Sequence, residues 1–295
     1  MNDLFWRTVE QCISTCEEDF TITGKHSVGG GSISSAWRIE GREQAYFLKI
    51  HRAEQAAMFA AEMAGLAEIH AAGALRVPRP VCHGVAGQDA FLVCEWIDFG
   101  PSLASGVELL GSQLADMHRC AAELFGWERN NTIGSSPQIN TRSNDWVAFW
   151  RDARIGVQLD LAASHGFGRE LGDRGERLMP LVGDLLCAHS PSPSLLHGDL
   201  WGGNWACDSQ GRPVLFDPAT YFGDRETDIA MSELFGGFPA SFYAAYRESW
   251  PLDDGYGLRR ELYNLYHILN HANLFGGTYV EQSARMMDHL IAQVQ

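Results

Sequence analysis

Apolar and polar positions alternate with a period of two early in the chain. In AYFLKIH (45–51), Tyr46, Leu48 and Ile50 fall on one side, and Phe47, Lys49 and His51 on the other. That alternation predicts a strand with one buried face. VGGGSISSAWRIEG (28–41) reads as a partner strand behind the loop Gly29-Gly30-Gly31, with a turn at Glu40-Gly41. A short amphipathic helix is predicted over residues 3–18. From 53 to 72 the period changes to that of a helix, with Phe59, Glu62, Leu66 and Ile69 on one stripe and Gly73 as its stop. VPRPVCHGV (77–85) is extended, because proline biases its predecessor away from helix. DAFLVCEWIDF (89–99) reads as a buried strand running into a polar-aromatic connector.

Beyond Pro101 and Gly106 the helical period dominates. Helices are predicted over 108–123, 144–164 and 173–189, the last N-capped by Asp173, and again from 227 to the end. Short strands interrupt them near 195–205 and at PVLFD (213–217). The pattern therefore predicts an α+β chain. A small lobe (1–94) carries an antiparallel sheet and one helix, 95–99 forms a hinge, and 100–295 is a larger, mainly helical lobe. Clefts between lobes are favoured ligand sites.

Bulk properties narrow the partners. The 295 residues are 45% hydrophobic and 20% charged, enough to bury a large core. A formal net charge of −15 argues against nucleic acid and gives no reason to expect an anionic membrane. The seven cysteines (Cys12, Cys16, Cys82, Cys94, Cys120, Cys187 and Cys207) are scattered and contain no C-x-x-C, which reads as reduced thiols. MNDLFWRTVEQC lacks the basic start and apolar core of a signal peptide, and no apolar run approaches a membrane span. The expected location is the cytoplasm.

Four features carry chemistry. Gly29, Gly30 and Gly31, with the hydroxyl of Ser32, let backbone N–H groups approach an anion closely. Ser34 stands where the last glycine of G-x-G-x-x-G would be, so this loop alone equally describes a flexible hairpin turn. Lys49 lies near the end of its strand. Glu62 sits in an apolar helical stripe, where a carboxylate is costly unless paired. Lys49 is its natural partner, and the pair would aim an ammonium at phosphate oxygens. In LLHGDLWGGNW (195–205), Asp199 and Asn204 are five apart, as in the catalytic loop of protein kinases, and Asp217 follows. In that chemistry one Asp orients the acceptor hydroxyl, while the Asn and second Asp hold Mg²⁺ against nucleotide phosphates. Each residue singly has a structural explanation as a cap, turn or solvated acid; together and in order they indicate phosphoryl transfer from ATP. His197 reads as a structural brace of the loop. Asp228 is either a helix N-cap or a second brace.

The residues HGDLWGGN (197–204), FDPA (216–219), YFGDRETDIAM (221–231) and LFGGF (234–238) resemble the fructosamine kinase (ketosamine kinase) family. The likeness extends through MFAAEMAGLAEIHAAGALRVPRP (58–80) and NDWVAFWRDARIGVQLDLA (144–162) to NLYHILNHANLFGG (264–277), essentially the whole chain. The resemblance implies a bilobal protein-kinase-like fold related to aminoglycoside phosphotransferases and choline kinases. It implies transfer of the ATP γ-phosphate to the sugar 3-hydroxyl of ketosamines, free or protein-bound, followed by release of the amine. It makes Asp199 the catalytic base, Asn204 and Asp217 the Mg²⁺ ligands, Lys49 with Glu62 the phosphate contact, and Glu95-Trp96-Ile97 the adenine-binding hinge. Trp201 is assigned to the acceptor sugar or to core packing, and Trp205 to core packing. The acceptor site is expected near Trp146, Trp150, Arg154, Trp201 and Phe238, although the helix carrying the first three is apolar enough to be core. Some relatives carry a cysteine in the Gly-rich loop where Ser32 stands, which removes thiol regulation through that loop. Pro218-Ala219 replaces the Phe-Gly of protein kinases, so no flipping activation segment is expected. A kinase of another small acceptor, a nucleotide-binding pseudokinase and a metal-dependent hydrolase using His197, Asp199 and Asp217 remain as alternatives. Sugar preference and oligomeric state are not encoded in these motifs.

Overall fold

The computed structural model describes residues 2–17, 19–29 and 34–294. Two compact units emerge, Met1–Val107 with Trp205–Pro218, and Glu108–Asn204 with Ala219–Gln295. The mixed α+β composition is as the period changes predict.

The first unit holds a five-stranded antiparallel sheet in the order β1-β2-β3-β5-β4. Its strands are β1 (Gly24–Val28), β2 (Ser35–Glu40), β3 (Ala45–Arg52), β4 (Pro80–Ala86) and β5 (Asp89–Glu95). Tyr46, Leu48 and Ile50 of β3 are buried, while Phe47, Lys49 and His51 are only partly so. Helix α1 (Asp3–Cys16) is N-capped by Asn2, whose side chain accepts from Phe5 N at 3.0 Å. It lays Phe5, Val9 and Ile13 on the sheet against Phe91, Val93 and Val81. Helix α2 (Ala56–Ala72) ends at Gly73, whose φ of 68° is a left-handed C-terminal stop.

Residues 205–218 belong with this first unit and not with the helical one, contrary to the expected boundary. The cause is strand pairing. Trp205–Asp208 pairs with Pro213–Leu215 and with Phe99–Gly100, and Leu215 N donates to Arg76 O at 3.0 Å. The connector 95–99 lies inside the unit for the same reason.

The second unit is mainly helical. The expected helix 144–164 appears as Trp146–Trp150 and Val157–Ser164, joined by a π-helical stretch, Arg151–Gly156. Its aromatic residues form core. Trp146, Trp150, Phe149 and Arg154 are buried, Trp146 stacks on Phe149, and Trp150 meets Tyr263 edge-on at 4.8 Å. The expectation that Trp146, Trp150 and Arg154 line an acceptor site is therefore corrected: their side chains are consumed by packing. Arg154 is fully buried with its guanidinium 4.1 Å from the centre of the Tyr221 ring, donating to Ile139 O and Asn140 Oδ1. Asp173 does not cap a helix. It lies within Gly168–Leu178, and the chain breaks at Pro180 before Val182–Leu186.

A buried charge network closes this unit. His189 Nε2 lies 2.7 Å from Asp224 Oδ2, and its Nδ1 3.3 Å from Asp253 Oδ2. Arg259 grips Glu226 at 2.7 and 2.9 Å. Burial alone would lower the pKa of His189, but Asp224 and Glu226 outweigh it, so the pKa is raised. His267 is the opposite case: burial, aided by His271, lowers its pKa to about 3. Between pH 3 and roughly 6.5, the ordinary histidine value, the unfolded chain takes up a proton that folded His267 refuses, so stability rises with pH. Above roughly 6.5 the folded chain keeps a proton on His189 that the unfolded chain loses, so stability falls. Urea unfolding across pH should therefore give a maximum near about pH 6.5. His189→Gln should flatten the alkaline arm; an unchanged slope there would remove His189 from the account.

Candidate active site

In the first unit, three sequence-distant side chains meet. β3 presents Lys49 on its less buried face, α2 presents Glu62 from its apolar stripe, and Asp217 follows the strand Pro213–Leu215. Lys49 Nζ lies 2.6 Å from Glu62 Oε1 and 2.6 Å from Asp217 Oδ1. Lys49 and Glu62 side chains are 14% and 13% exposed, while Asp217 is 47% exposed, so one end of the triad is closed and the other open. Burial would depress the lysine pKa, but the two carboxylates outweigh it and hold the ammonium charged. For Glu62, burial is the leading influence and pushes its pKa up, against the pull of Lys49.

Asp217 has φ 57°, the one non-glycine residue in the left-handed region among the described residues. Asp tolerates this conformation better than most side chains, yet strained backbone of this kind concentrates at functional sites. A one-residue kink there turns the carboxylate toward Lys49.

The connector residues occupy the same unit. Glu95 ends β5, donates its N–H to Arg79 O at 2.8 Å, and places its carboxylate 2.8 Å from Arg76. Arg76 also pairs with Asp208, a 3% exposed carboxylate that accepts from the backbone N–H groups of Gln210 and Arg212. Trp96 Nε1 donates to Asp98, its ring is covered by Arg38 at 4.9 Å, and Ile97 is buried. At Gly29 an added Cβ would meet nothing within 4 Å. Gly30, Gly31 and Ser32 lie outside the described residues.

In the second unit, the strand Ser194–Leu196 pairs with Tyr221–Gly223 and delivers the chain into the loop. Gly198, at φ 82°, is obligatory, since a Cβ there would lie 2.1 Å from Ala219 O. Asn204 is buried, and its Nδ2 donates to Asp199 O at 2.9 Å and to Asp199 Oδ2 at 3.1 Å. The loop thus folds back so that Asp199 and Asn204 touch. Trp201 is 40% exposed and its ring sits against Gly203, where a Cβ would be 2.2 Å away. It is a surface plate and not core. Trp205 is half-buried at the start of its strand.

Asp228 supports this loop. It is not an N-cap, because its helix begins at Glu226. Its Oδ2 accepts from His197 N at 2.7 Å and its Oδ1 from Gly198 N at 2.8 Å. His118 Nε2 lies 3.2 Å from Oδ2, and His118 Nδ1 lies 2.8 Å from Tyr246 OH. Burial would raise the Asp228 pKa, but His118, His197 and the Gly198 N–H overcome it and hold the carboxylate below its usual range. His197 is buried, with Nδ1 3.3 Å from Asp199 N. His118 is the partner that no sequence signal reveals, being 110 residues from Asp228.

Each unit by itself offers an oxygen donor of the kind a hard divalent cation takes. In the second unit Asn204 spends its Nδ2 on Asp199, which leaves its carbonyl oxygen; in the first, Asp217 spends Oδ1 on Lys49, which leaves Oδ2. Oxygen donors of this kind suit Mg²⁺.

The fructosamine kinase family model matches residues 5–293. The chain belongs to the fructosamine kinase family. It is 44% identical to a probable ketoamine kinase of Synechocystis sp. over 96% of this chain and 95% of the relative. It is 40% identical to a chloroplastic protein-ribulosamine 3-kinase of Arabidopsis thaliana, covering 93% and 84%. The crystal structure of a putative fructosamine-3-kinase from Haemophilus somnus superposes with a TM-score of 0.89 at 29% identity, covering 98% and 99%. The choline kinase LicA of Streptococcus pneumoniae shares the fold alone, with a TM-score of 0.62 at 15% identity over 97% and 98%. The fold is thus protein-kinase-like, and no helix among the described residues is long and apolar enough to cross a membrane.

Two substitutions at Asp217 separate its conformation from its charge. Asp217→Gly and Asp217→Ala both remove the carboxylate, but only glycine accepts φ 57° freely. The glycine variant should be more stable by about 1 kcal/mol in urea unfolding, with both inactive. Equal stabilities would mean the backbone is unstrained.

Proposed function

We propose that this member of the fructosamine kinase family transfers the γ-phosphoryl group of ATP to the 3-hydroxyl of the sugar in ketosamines, free or protein-bound, after which the amine is released. The observation that carries the reading is the Lys49 ammonium held charged between Glu62 and Asp217. A cation fixed in this way has a ready use in gripping phosphate oxygens. The Asp199–Asn204 pair, held by the Asp228-braced loop, supports the acceptor half of the same chemistry.

In this account Asp199 orients the attacking hydroxyl and takes its proton. Asn204 holds the Asp199 carboxylate in one rotamer by donating to Oδ2. Lys49 binds the nucleotide phosphates, and Glu62 prevents its side chain from collapsing onto Asp217 alone. Asn204 and Asp217 would hold Mg²⁺ through their remaining oxygens. When bound, that ion supplies neutralisation of phosphate charge. The Glu95–Ile97 backbone is assigned to the adenine, and Gly29 to Ser32 to the phosphates. Trp201, exposed beside Asp199 in sequence, is assigned to the apolar face of the acceptor sugar, where it would exclude water. Transfer is direct and in line, so positioning and charge carry the catalysis. The cytoplasm is the proposed location.

Asp199→Asn should lower kcat by roughly 10²–10⁴-fold while the KM for ATP stays within a few-fold. The assay is ADP release with Mg²⁺ against a ketosamine panel, an aminoglycoside and choline. Near-full activity of Asp199→Asn would remove its assigned role, and turnover on the aminoglycoside or choline alone would replace the substrate while keeping the kinase. Lys49→Met should lower kcat/KM for ATP roughly 10²–10³-fold, read by the same assay.

A further inference from the structure

The second unit contains a buried network of side-chain amides that the chemistry assigned above does not use. Its frame is a hairpin, Asn131–Ile133 with Ser136–Gln138, turning at Gly134, whose φ is 60°. The register sets Asn131 directly opposite Gln138. Gln138 is 1% exposed, and an amide at that depth is costly unless its donors and its oxygen are used. Gln138 Nε2 donates to Asn131 Oδ1 at 2.9 Å and to Ala219 O at 3.0 Å, and Gln138 Oε1 accepts from Tyr266 OH at 2.8 Å. Asn131 Nδ2 donates to Thr220 O at 2.8 Å. Two facing amides therefore hold two consecutive backbone carbonyls.

Arg154 sets the direction of these bonds. A guanidinium only donates, and Arg154 Nη2 donates to Asn140 Oδ1 at 2.8 Å. With its oxygen engaged in this way, Asn140 turns its Nδ2 to Asn131 Oδ1, at 2.9 Å. Asn131 in turn points its Nδ2 at Thr220 O, and a carbonyl only accepts. An obligate donor at one end and obligate acceptors at the other leave one orientation for each amide. The same chain gives the buried Arg154 a use. Its hydrogen bonds among the described residues all go to neutral oxygens, those of Ile139, Ala153 and Asn140.

The segment held by the two amides is the one on which the Asp199 loop rests. Ala219 N donates to His197 O at 2.8 Å. Ala219 O, the atom gripped by Gln138, is also the atom that a Cβ on Gly198 would approach to 2.1 Å. Asp199 is the next residue.

We propose that Gln138 and Asn131 are positioning residues for Asp199, acting through the backbone of Ala219 and Thr220, with Arg154 and Tyr266 fixing their orientation. The proposal rests on the reading of Asp199 as the group that orients the acceptor hydroxyl. Without the Gln138 donor, Ala219 O is released, and the backbone of His197 and Gly198 that packs on it shifts. Small displacements of a positioning group are expensive in a reaction that depends on alignment.

The test uses Gln138→Met, which keeps the length of the side chain and removes its donors, and Tyr266→Phe, which keeps the ring and removes one hydrogen bond. Tyr266→Phe carries the test should Gln138→Met not fold. Leu171→Ala, at a buried position of the helix Gly168–Leu178, is the control for lost stability alone. Each variant is read by ADP release with a ketosamine and by hydrogen exchange of the peptide 197–204. Gln138→Met should lower kcat roughly 10- to 100-fold, with the KM for ATP within a few-fold of the parent. Exchange in 197–204 should quicken, while that of the helix Thr278–Ala292 stays as in the parent. Tyr266→Phe should show the same two changes to a smaller extent. Leu171→Ala should lower the melting temperature and leave kcat and the exchange of 197–204 unchanged. An unchanged kcat or unchanged exchange in 197–204 in folded Gln138→Met would overturn the proposal, as would the same loss of kcat in Leu171→Ala. A parent without turnover on any ketosamine would remove the kinase reading instead, and the exchange of 197–204 would then decide the positioning by itself.

Discussion

A carboxylate buried in the protein interior must be satisfied, and Asp228 is satisfied by the backbone of the loop it supports. Two consecutive N–H groups, from His197 and Gly198, point at its two oxygens. That grip forces a tight turn, which Gly198 permits through its positive φ and lack of a side chain. The turn in turn decides where Asp199 stands and lets Asn204 reach back to it. His118 and Tyr246 complete the support from behind, so the loop is fixed by a chain of buried polar groups and not by its own few residues.

The first unit solves a different problem with the same currency. Lys49 is drawn into a largely closed environment where an unpaired ammonium would be costly, and two carboxylates compensate it. Only Asp217 remains substantially exposed. One of its oxygens serves the lysine, on a strained backbone and in a half-open position. Asp208 and Arg76 play the corresponding structural role below the connector, pinning the hairpin that carries Asp217 to the segment that carries Glu95.

Much of this was legible in the sequence. The alternation in 45–51 gave the orientation of Lys49, and the misplaced Glu62 in an apolar stripe announced a partner. The order Asp199, Asn204, Asp217 pointed to phosphoryl transfer, the activity of the family to which the chain belongs. What failed was pattern without depth. The aromatic residues of 146–154 suited a sugar site by composition, but core packing is the default for so apolar a helix and core is what they form, its π-helical stretch carrying Arg154 inward. Asp173 resembled an N-cap because capping residues also occur inside helices. Residues 205–218 read as part of the helical half since they follow it in sequence; pairing with Phe99–Gly100, a hundred residues earlier, decides otherwise. His118 was invisible for the same reason: no local period reports a partner so distant.

The central claim is that the chain catalyses phosphoryl transfer from ATP to a ketosamine sugar. The most direct measurement is a phosphorus-31 NMR time course of the protein with ATP, Mg²⁺ and a fructosyl or ribulosyl amine. The account predicts one new phosphate ester at the sugar 3-position for each ADP formed, followed by appearance of the free amine. ADP accompanied only by inorganic phosphate, or an ester at another hydroxyl, would contradict it.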